Sequence, residues 1–251
     1  MIQSIIDCSL VAPVFNEEKV IAKVVTSWTD VMDTLVKNSE ITNYEIVICD
    51  DASSDNTFEI LKNISISKKQ VKILSNKTNK GAGYSLQKCL IDASGDWVIF
   101  LDSDGQFDPS DIPKMLDLRK KSNIILGQRV KKSTLDHRLG STASNAISRF
   151  MFNTKIKDYN CQLKIVHKDL LKLISLRANR MNYSGEITIK LLFLKKPYIL
   201  FDVNHLDRIY GYSNMSFFKD SINRLLFLGF LKYENYLEQK DIIRQVLIKN
   251  E

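Results

Sequence analysis

The first half of the chain alternates two hydrophobic periods, and that alternation constrains the fold more than any other feature. Apolar runs of strand length cover 5–14, 44–49, 71–74, 97–101 and 124–126. Between them, apolar residues recur at helical spacing, as with Val20, Val24, Val31 and Leu35 in the segment from about 17 to 36. Further helices are predicted from Thr57 through Leu61 behind the capping residues of 53–57, from 79–83 to Ala93, and over 111–121. Strands alternating with helices imply right-handed βαβ units and an α/β fold, with helices flanking a mainly parallel sheet. The second half is less regular: helix over 139–152, strand over 162–166, apolar helix over 186–194 and strand over 198–203. The division that follows is a domain over 1–213 and an amphipathic helical tail over 214–251. In that tail Phe217, Phe218, Ile222, Leu225, Phe227 and Phe230 are interleaved with Lys219, Arg224 and Lys232. Such a segment lies on a bilayer surface, packs on the domain or contacts a partner.

The strand-like run 97–101 stops abruptly at Asp102-Ser103-Asp104. Two carboxylates one residue apart at a strand end can hold a hard divalent cation and leave coordination positions open for phosphate oxygens. Open α/β sheets bind ligands at the carboxyl ends of their strands. Asp-x-Asp alone is a common tripeptide, however, and reads as readily as an acidic turn.

Charge narrows the partners. The net +7 is uneven: residues 114–172 hold 14 Lys and Arg against 4 Asp and Glu, while the remainder holds 22 against 25. A basic middle beside an acidic strand end suits phosphates, an anionic membrane surface or nucleic acid, or is simply a solvated face. No aromatic-rich RNA-binding motif accompanies the basic stretch, so nucleic acid is not expected. The four scattered cysteines form no CxxC pair, which favours reduced structural thiols over zinc. Residues 1–14 run straight into a strand without a charged-then-apolar leader. The apolar run 225–231 is far shorter than the roughly 20 residues of a spanning helix, so a cytoplasmic location is the default expectation.

Four ordered motifs, Pro13-Val14-Phe15-Asn16-Glu17-Glu18, Asp50-Asp51-Ala52-Ser53-Ser54-Asp55-Asn56-Thr57, Asn79-Lys80-Gly81-Ala82-Gly83 and Asp102-Ser103-Asp104-Gly105-Gln106, resemble the family-two glycosyltransferases of GT-A fold, a Rossmann-like arrangement. Gly105-Gln106-Phe107-Asp108-Pro109 is similar to the polyprenyl-phosphate mannose synthase branch. Gly127-Gln128-Arg129, where that branch usually has Gly-Ser-Arg, and Arg208-Ile209-Tyr210-Gly211-Tyr212-Ser213 agree with it. The resemblance spans roughly 5–215.

By this resemblance Asp102, Asp104 and Gln106 hold Mg²⁺ or Mn²⁺ against the two phosphates of a nucleotide-diphospho-sugar donor. Pro13, Phe15, Glu17 and Asp51 line the nucleotide, Asp51 touching base or ribose while Asp50 braces the loop. Phe15 stands where the family usually has Tyr, and Asp55 and Thr57 read as helix caps. Gly81 and Gly83 allow close backbone approach at a helix N-terminus, for a phosphate or for tight packing. Arg129 and Arg208, with Arg138 beside them in the basic loop, are implied to position an acceptor phosphate. Glu186 stands where the family has an acidic residue lining the acceptor or sugar site. It would serve as general base for a hydroxyl acceptor, or simply answer a helix dipole. Cys161-Gln162-Leu163-Lys164 departs from the usual Cys-Gly-Phe-Arg type, which bears on sugar or acceptor specificity. The implied function is an inverting, metal-dependent transfer of sugar to a polyprenyl phosphate, by a protein peripheral to the cytoplasmic membrane face. The alternatives are a transferase extending a lipid-linked or surface polysaccharide with Glu186 as base, and, more remotely, a non-catalytic sugar-nucleotide or nucleic-acid binding module.

Overall fold

The structure is a computed structural model that describes residues 6–130, 146–179, 182–206, 223 and 225–237. In chain order the elements are β1 (Cys8–Val14), α1 (Ile21–Lys37), β2 (Tyr44–Asp50), α2 (Thr57–Ser67), β3 (Val71–Ser75), α3 (Ala82–Asp92), β4 (Trp97–Phe100), α4 (Asp111–Asp117) and β5 (Ile124–Arg129). Then come α5 (146–152), β6 (Lys164–His167), the short α6 (Lys168–Leu171), α7 (Tyr183–Phe193), β7 (Ile199–Val203) and α8 (225–237). The strands form one sheet in the order β3-β2-β1-β4-β6-β5-β7. Pairings β1–β2, β1–β4, β2–β3 and β5–β7 are parallel. β6 alone among these strands runs against its neighbours, β4 and β5, so the chain returns through the middle of the sheet.

Alternating side chains divide the core into two layers, one on each face of the sheet. Leu10, Ile46, Ile99, Ile125 and Ile165 belong to one core cluster with the buried apolar stripe of α1, Ile21, Val24, Val25, Trp28, Met32 and Leu35, and with Ile112 and Met115 of α4. Val47, Val98, Phe100, Leu126 and Val166 meet Leu86 and Cys89 of α3 and Ile187 and Leu191 of α7. Full burial of each such aliphatic or aromatic side chain contributes roughly 1.5–3 kcal/mol.

Several predicted bounds shift for tertiary reasons. β5 runs past Leu126 to Arg129 because β7 supplies a parallel partner, from Ile125↔Ile199 to Arg129↔Val203. α1 begins at Ile21, after a turn in which Asn16 takes φ 55° and the Glu17 N–H donates to Thr57 Oγ1 at 2.8 Å. α2 continues to Ser67, beyond the predicted Leu61. The predicted helix over 111–121 is α4 followed by a 3₁₀ turn, Leu118–Lys120. Of the tail, α8 packs on the domain through buried Leu228 and Leu231. The boundary at 213/214 lies outside the described residues.

A buried carboxylate ties the amino ends of the strands together. Glu45 of β2 accepts from Ser9 Oγ at 2.6 Å, Ser94 N at 2.6 Å and Ser94 Oγ at 2.7 Å, and pairs with Lys72 of β3 at 2.7 Å. Burial works against its charge, but the bonds from Lys72, Ser9 and Ser94 outweigh burial and hold the carboxyl down to about 2. Because the folded value is depressed, this contribution is complete above the ordinary carboxylate range and is lost as pH falls toward about 2. Glu45→Gln should lower the urea midpoint at pH 7, and the gap between variant and wild type should close as pH is lowered through that window.

Candidate functional site

The carboxyl ends of β1, β2 and β4 lie side by side, and the polar ends of all three strands open onto one edge of the sheet. Main-chain bonds from Asp51 N to Val14 O and from Leu101 N to Val11 O continue the parallel pairing past the strands. Ser103 Oγ donates to Pro13 O at 2.9 Å, joining the first and fourth strand ends. Phe15 stands half-exposed just beyond β1, where it offers an apolar face, and Glu17 is half-buried beside it.

Asp102 follows β4 on the face covered by α7. Tyr183, at the start of α7, donates its hydroxyl to Asp102 Oδ1 at 2.9 Å. Burial, and next the charge of Asp104, push the Asp102 carboxyl up to about 6. Asp104 Oδ1 accepts from the backbone N–H of Gln106 at 3.1 Å. The Gln106 side-chain amide donates to Leu206 O at 3.2 Å, and Leu206 N returns a bond to Gln106 O. Arg208, two residues further on, lies outside the described residues, as do Arg138 and the rest of 131–145.

Behind the aspartates sits a buried ionic layer. Arg129, at the end of β5, donates Nε and Nη2 to Asp158 at 2.6 and 3.0 Å. Burial opposes its charge, yet the Asp158 bonds hold the guanidinium more firmly protonated than a free arginine. Lys164 of β6 donates to Cys161 O and, at 2.7 Å, to Ser184 Oγ. Burial is the main reason its ammonium falls to about 8. Asp102 and Asp158 face Arg129 and Lys164, and Asp104 adds a third carboxylate beside Asp102, so three carboxylates stand against two cations. That surplus, held in hard oxygen donors at a strand end, fits a divalent cation that takes its remaining ligands from phosphate.

At three of the expected positions the structure shows partners within the protein. Asp51, expected to touch base or ribose, spends its buried carboxylate on the chain: Oδ1 accepts from Asn76 Nδ2 and Lys80 N, and Oδ2 accepts from Gly81 N at 2.7 Å. It braces the glycine loop, while Asp50 braces its own through Ser53. At the start of α3, Asn179 O accepts from Gly83 N and Tyr84 N, in line with the tight-packing reading of the glycines. Gly81 is required by its φ of 97°, and Gly83 because a Cβ there would lie 1.9 Å from Ala178 O. Glu186, expected at the acceptor, is 0% exposed. Its carboxylate accepts from Arg177 N at 2.9 and 3.0 Å and from Ala178 N at 2.8 Å, and pairs with Lys190 at 3.2 Å. Glu234 of α8 joins the network through Arg177 at 2.6 Å and Lys190 at 3.5 Å. Glu186 therefore shapes the 177–179 loop that seats α3.

Sequence reasoning missed Tyr183 and Asp158. Asp158 did carry a signal, being one of only four acidic residues in the basic stretch 114–172. Tyr183 carried none, since its partner lies 81 positions away. Glu186→Gln should cost about 3 kcal/mol in urea unfolding, as expected for breaking a buried ion pair. A solvent-facing catalytic base would instead lose turnover at unchanged stability.

Comparison with known proteins bears on the same residues. The sequence model described as Glycosyl transferase family 2 matches residues 9–174. Among solved structures, glucosyl-3-phosphoglycerate synthase from Mycobacterium tuberculosis, in complex with Mn²⁺ and UDP-glucose, is similar at 19% identity and a TM-score of 0.65, over 88% of this chain and 78% of that one. S. aureus TarS 1-349 in complex with UDP-GlcNAc is similar at 21% identity and a TM-score of 0.57, over 84% of this chain and 61% of that one. The mannosyltransferase PcManGT from Pyrobaculum calidifontis, in complex with GDP-Man and Mn²⁺, is similar at 14% identity and a TM-score of 0.59, over 84% and 58%. At these identities the structural likeness is one of fold. The family match, by contrast, runs from Ser9 through β6 and takes in both aspartates at the sheet edge, and on that ground the chain belongs to glycosyl transferase family 2.

Proposed function

We propose that this protein transfers a sugar, with inversion, from a nucleotide-diphospho-sugar to a polyprenyl phosphate at the inner face of the cell membrane. One observation carries the choice of acceptor. A hydroxyl acceptor needs a general base, and Glu186, the carboxylate placed for that role by resemblance, is buried and ion-paired. A phosphate monoester is already anionic near neutral pH and needs positioning instead. Its oxygen forms the new bond to the anomeric carbon as the bond from that carbon to the donor diphosphate breaks.

Asp102 and Asp104 would hold Mg²⁺ or Mn²⁺, with Gln106 adjoining. The bound cation supplies charge neutralisation for the departing nucleoside diphosphate. Phe15 offers the base an apolar wall, and Pro13 and Glu17 stand beside it, while Asp51 and Gly81 keep the loop next to the nucleotide in shape. Arg129, its plane fixed by Asp158, places positive charge near Asp102 for the acceptor phosphate. The Gln106–Leu206 bonds hold Leu206 against the loop after the aspartates, and Arg208, two residues on in sequence, is proposed as a second phosphate contact.

Membrane contact rests on the outward face of α8. Leu226, Phe230, Tyr233 and Leu237 recur at helical spacing and are exposed, as is Phe150 of α5 at 90%. Among the described residues no helix is long and apolar enough to cross a membrane. The neighbouring basic stretch 114–172 supplies charge for anionic headgroups.

Asp104→Asn should abolish the thermal shift that Mn²⁺ with a nucleoside diphosphate gives the wild type, and reduce turnover by at least about a hundredfold. Labelled UDP-glucose or GDP-mannose incubated with undecaprenyl phosphate should yield a lipid-extractable product, and label found only on a saccharide would overturn the acceptor. The wild type should float with anionic liposomes and Phe230→Ser with Tyr233→Ser should sink. Equal flotation of both would remove the proposed membrane face.

A further inference from the structure

Among the described residues at this site, Gln162 is the one whose side chain is buried without a hydrogen-bond partner at either end. It is 1% exposed, and neither its Nε2 nor its Oε1 has a hydrogen-bond partner. Burying both ends of an amide without partners is costly, and such groups in a folded protein call for a physical reason. The register says where it lies. Phe100 pairs with Lys164 across β4 and β6, and Leu126 pairs with Lys164 across β5 and β6. Gly127 N donates to Leu163 O, which continues the second pairing. Extended two residues beyond the last pairs, both registers would put Gln162 between Asp102 and Gln128. By strand alternation it shares their face of the sheet, the one covered by α7. Gln128 Oε1 is already used by Lys157 N at 2.7 Å, so Gln162 is not paired with it.

We infer that Gln162 reads two neighbouring hydroxyls of the sugar carried by the donor, and so sets which sugar is transferred. This rests on the donor reading proposed above. An unpaired amide sets an NH₂ group, which donates, beside a carbonyl oxygen, which accepts; this matches a vicinal diol, whose hydroxyls both give and take hydrogen bonds. It does not match a phosphate, which only accepts, and the charged groups around Asp102 already serve that part of the donor. The position also suits the role, being on the same face as Asp102 and toward it by register. Gln162 stands where the usual sequence of the resembled branch has glycine, so the contact belongs to this chain. Both amide atoms are closed off in the ligand-free protein, and the sugar must displace that cover to reach them.

The test compares wild type with Gln162→Leu and with Gln162→Met, which keeps the unbranched shape. Ligand-free thermal midpoints are measured, then binding of UDP, UDP-glucose, GDP and GDP-mannose with Mn²⁺. If the amide is held in reserve for sugar, removing it raises the ligand-free midpoint by about 2–4 °C. Affinity for the bare nucleoside diphosphate stays unchanged, while affinity for its sugar conjugate falls about tenfold. An equal loss for both nucleotides, or no loss for either, overturns the inference. So does a lowered midpoint with sugar preference intact, which would mean that an internal water satisfies the amide. Failure of the wild type to bind any of the four would sink the donor reading itself and the inference with it, a result distinct from loss of sugar discrimination in the variants.

Discussion

Two carboxylates held one residue apart in a closed corner of a sheet repel each other, and burial strengthens the repulsion. Asp102 shows the strain in its raised carboxyl, and the surrounding structure is arranged to tolerate it. Tyr183 lends a hydroxyl, Lys164 an ammonium that burial itself has weakened, and Arg129 a guanidinium whose orientation is fixed by Asp158. These partners come from α7, β6 and β5, so the corner exists only when the right-hand half of the sheet has docked on the left. The antiparallel β6 is central to this. It brings Lys164 and the 158–162 loop to the carboxyl end of β4, a placement that an all-parallel continuation would not give.

The same economy governs the loops. Gly81 and Gly83 looked like a phosphate cradle, and Glu186 like an acceptor-side carboxylate. In the fold both belong to one mechanical unit. Glu186 holds the backbone of Arg177 and Ala178, Asn179 caps the start of α3, and Asp51 grips the loop from the other side. Glu234 extends that unit to α8, so the helix bearing the exposed Phe230 and Tyr233 is tied to the loop that seats α3. Polar groups that would be expensive to bury alone are affordable once each answers another.

Local pattern made the fold class legible. Period-two apolar runs between period-3.6 segments yield a βαβ sheet with little freedom left, and the acidic strand ends follow because the last residue of a strand must meet solvent or ligand. Asp102 and Asp104 were therefore visible as a pair, as was the family to which the chain belongs. The extent of β5 was not, since its last three residues are strand only because β7 pairs with them.

What the sequence by itself determined is the sheet, its order of elements and the chemistry available at its edge. What only the tertiary structure decided is which polar side chains are spent and which are left over. Apart from the Glu186–Lys190 pair four residues apart, Asp51, Glu186 and the α3 amides are consumed by partners 8 to 30 positions or more away, and no local signal records those pairings. Gln162 is left over for the converse reason. Its neighbours Gln128, Lys164 and Asp102 are each satisfied elsewhere, and among the described residues neither end of its amide has a hydrogen-bond partner.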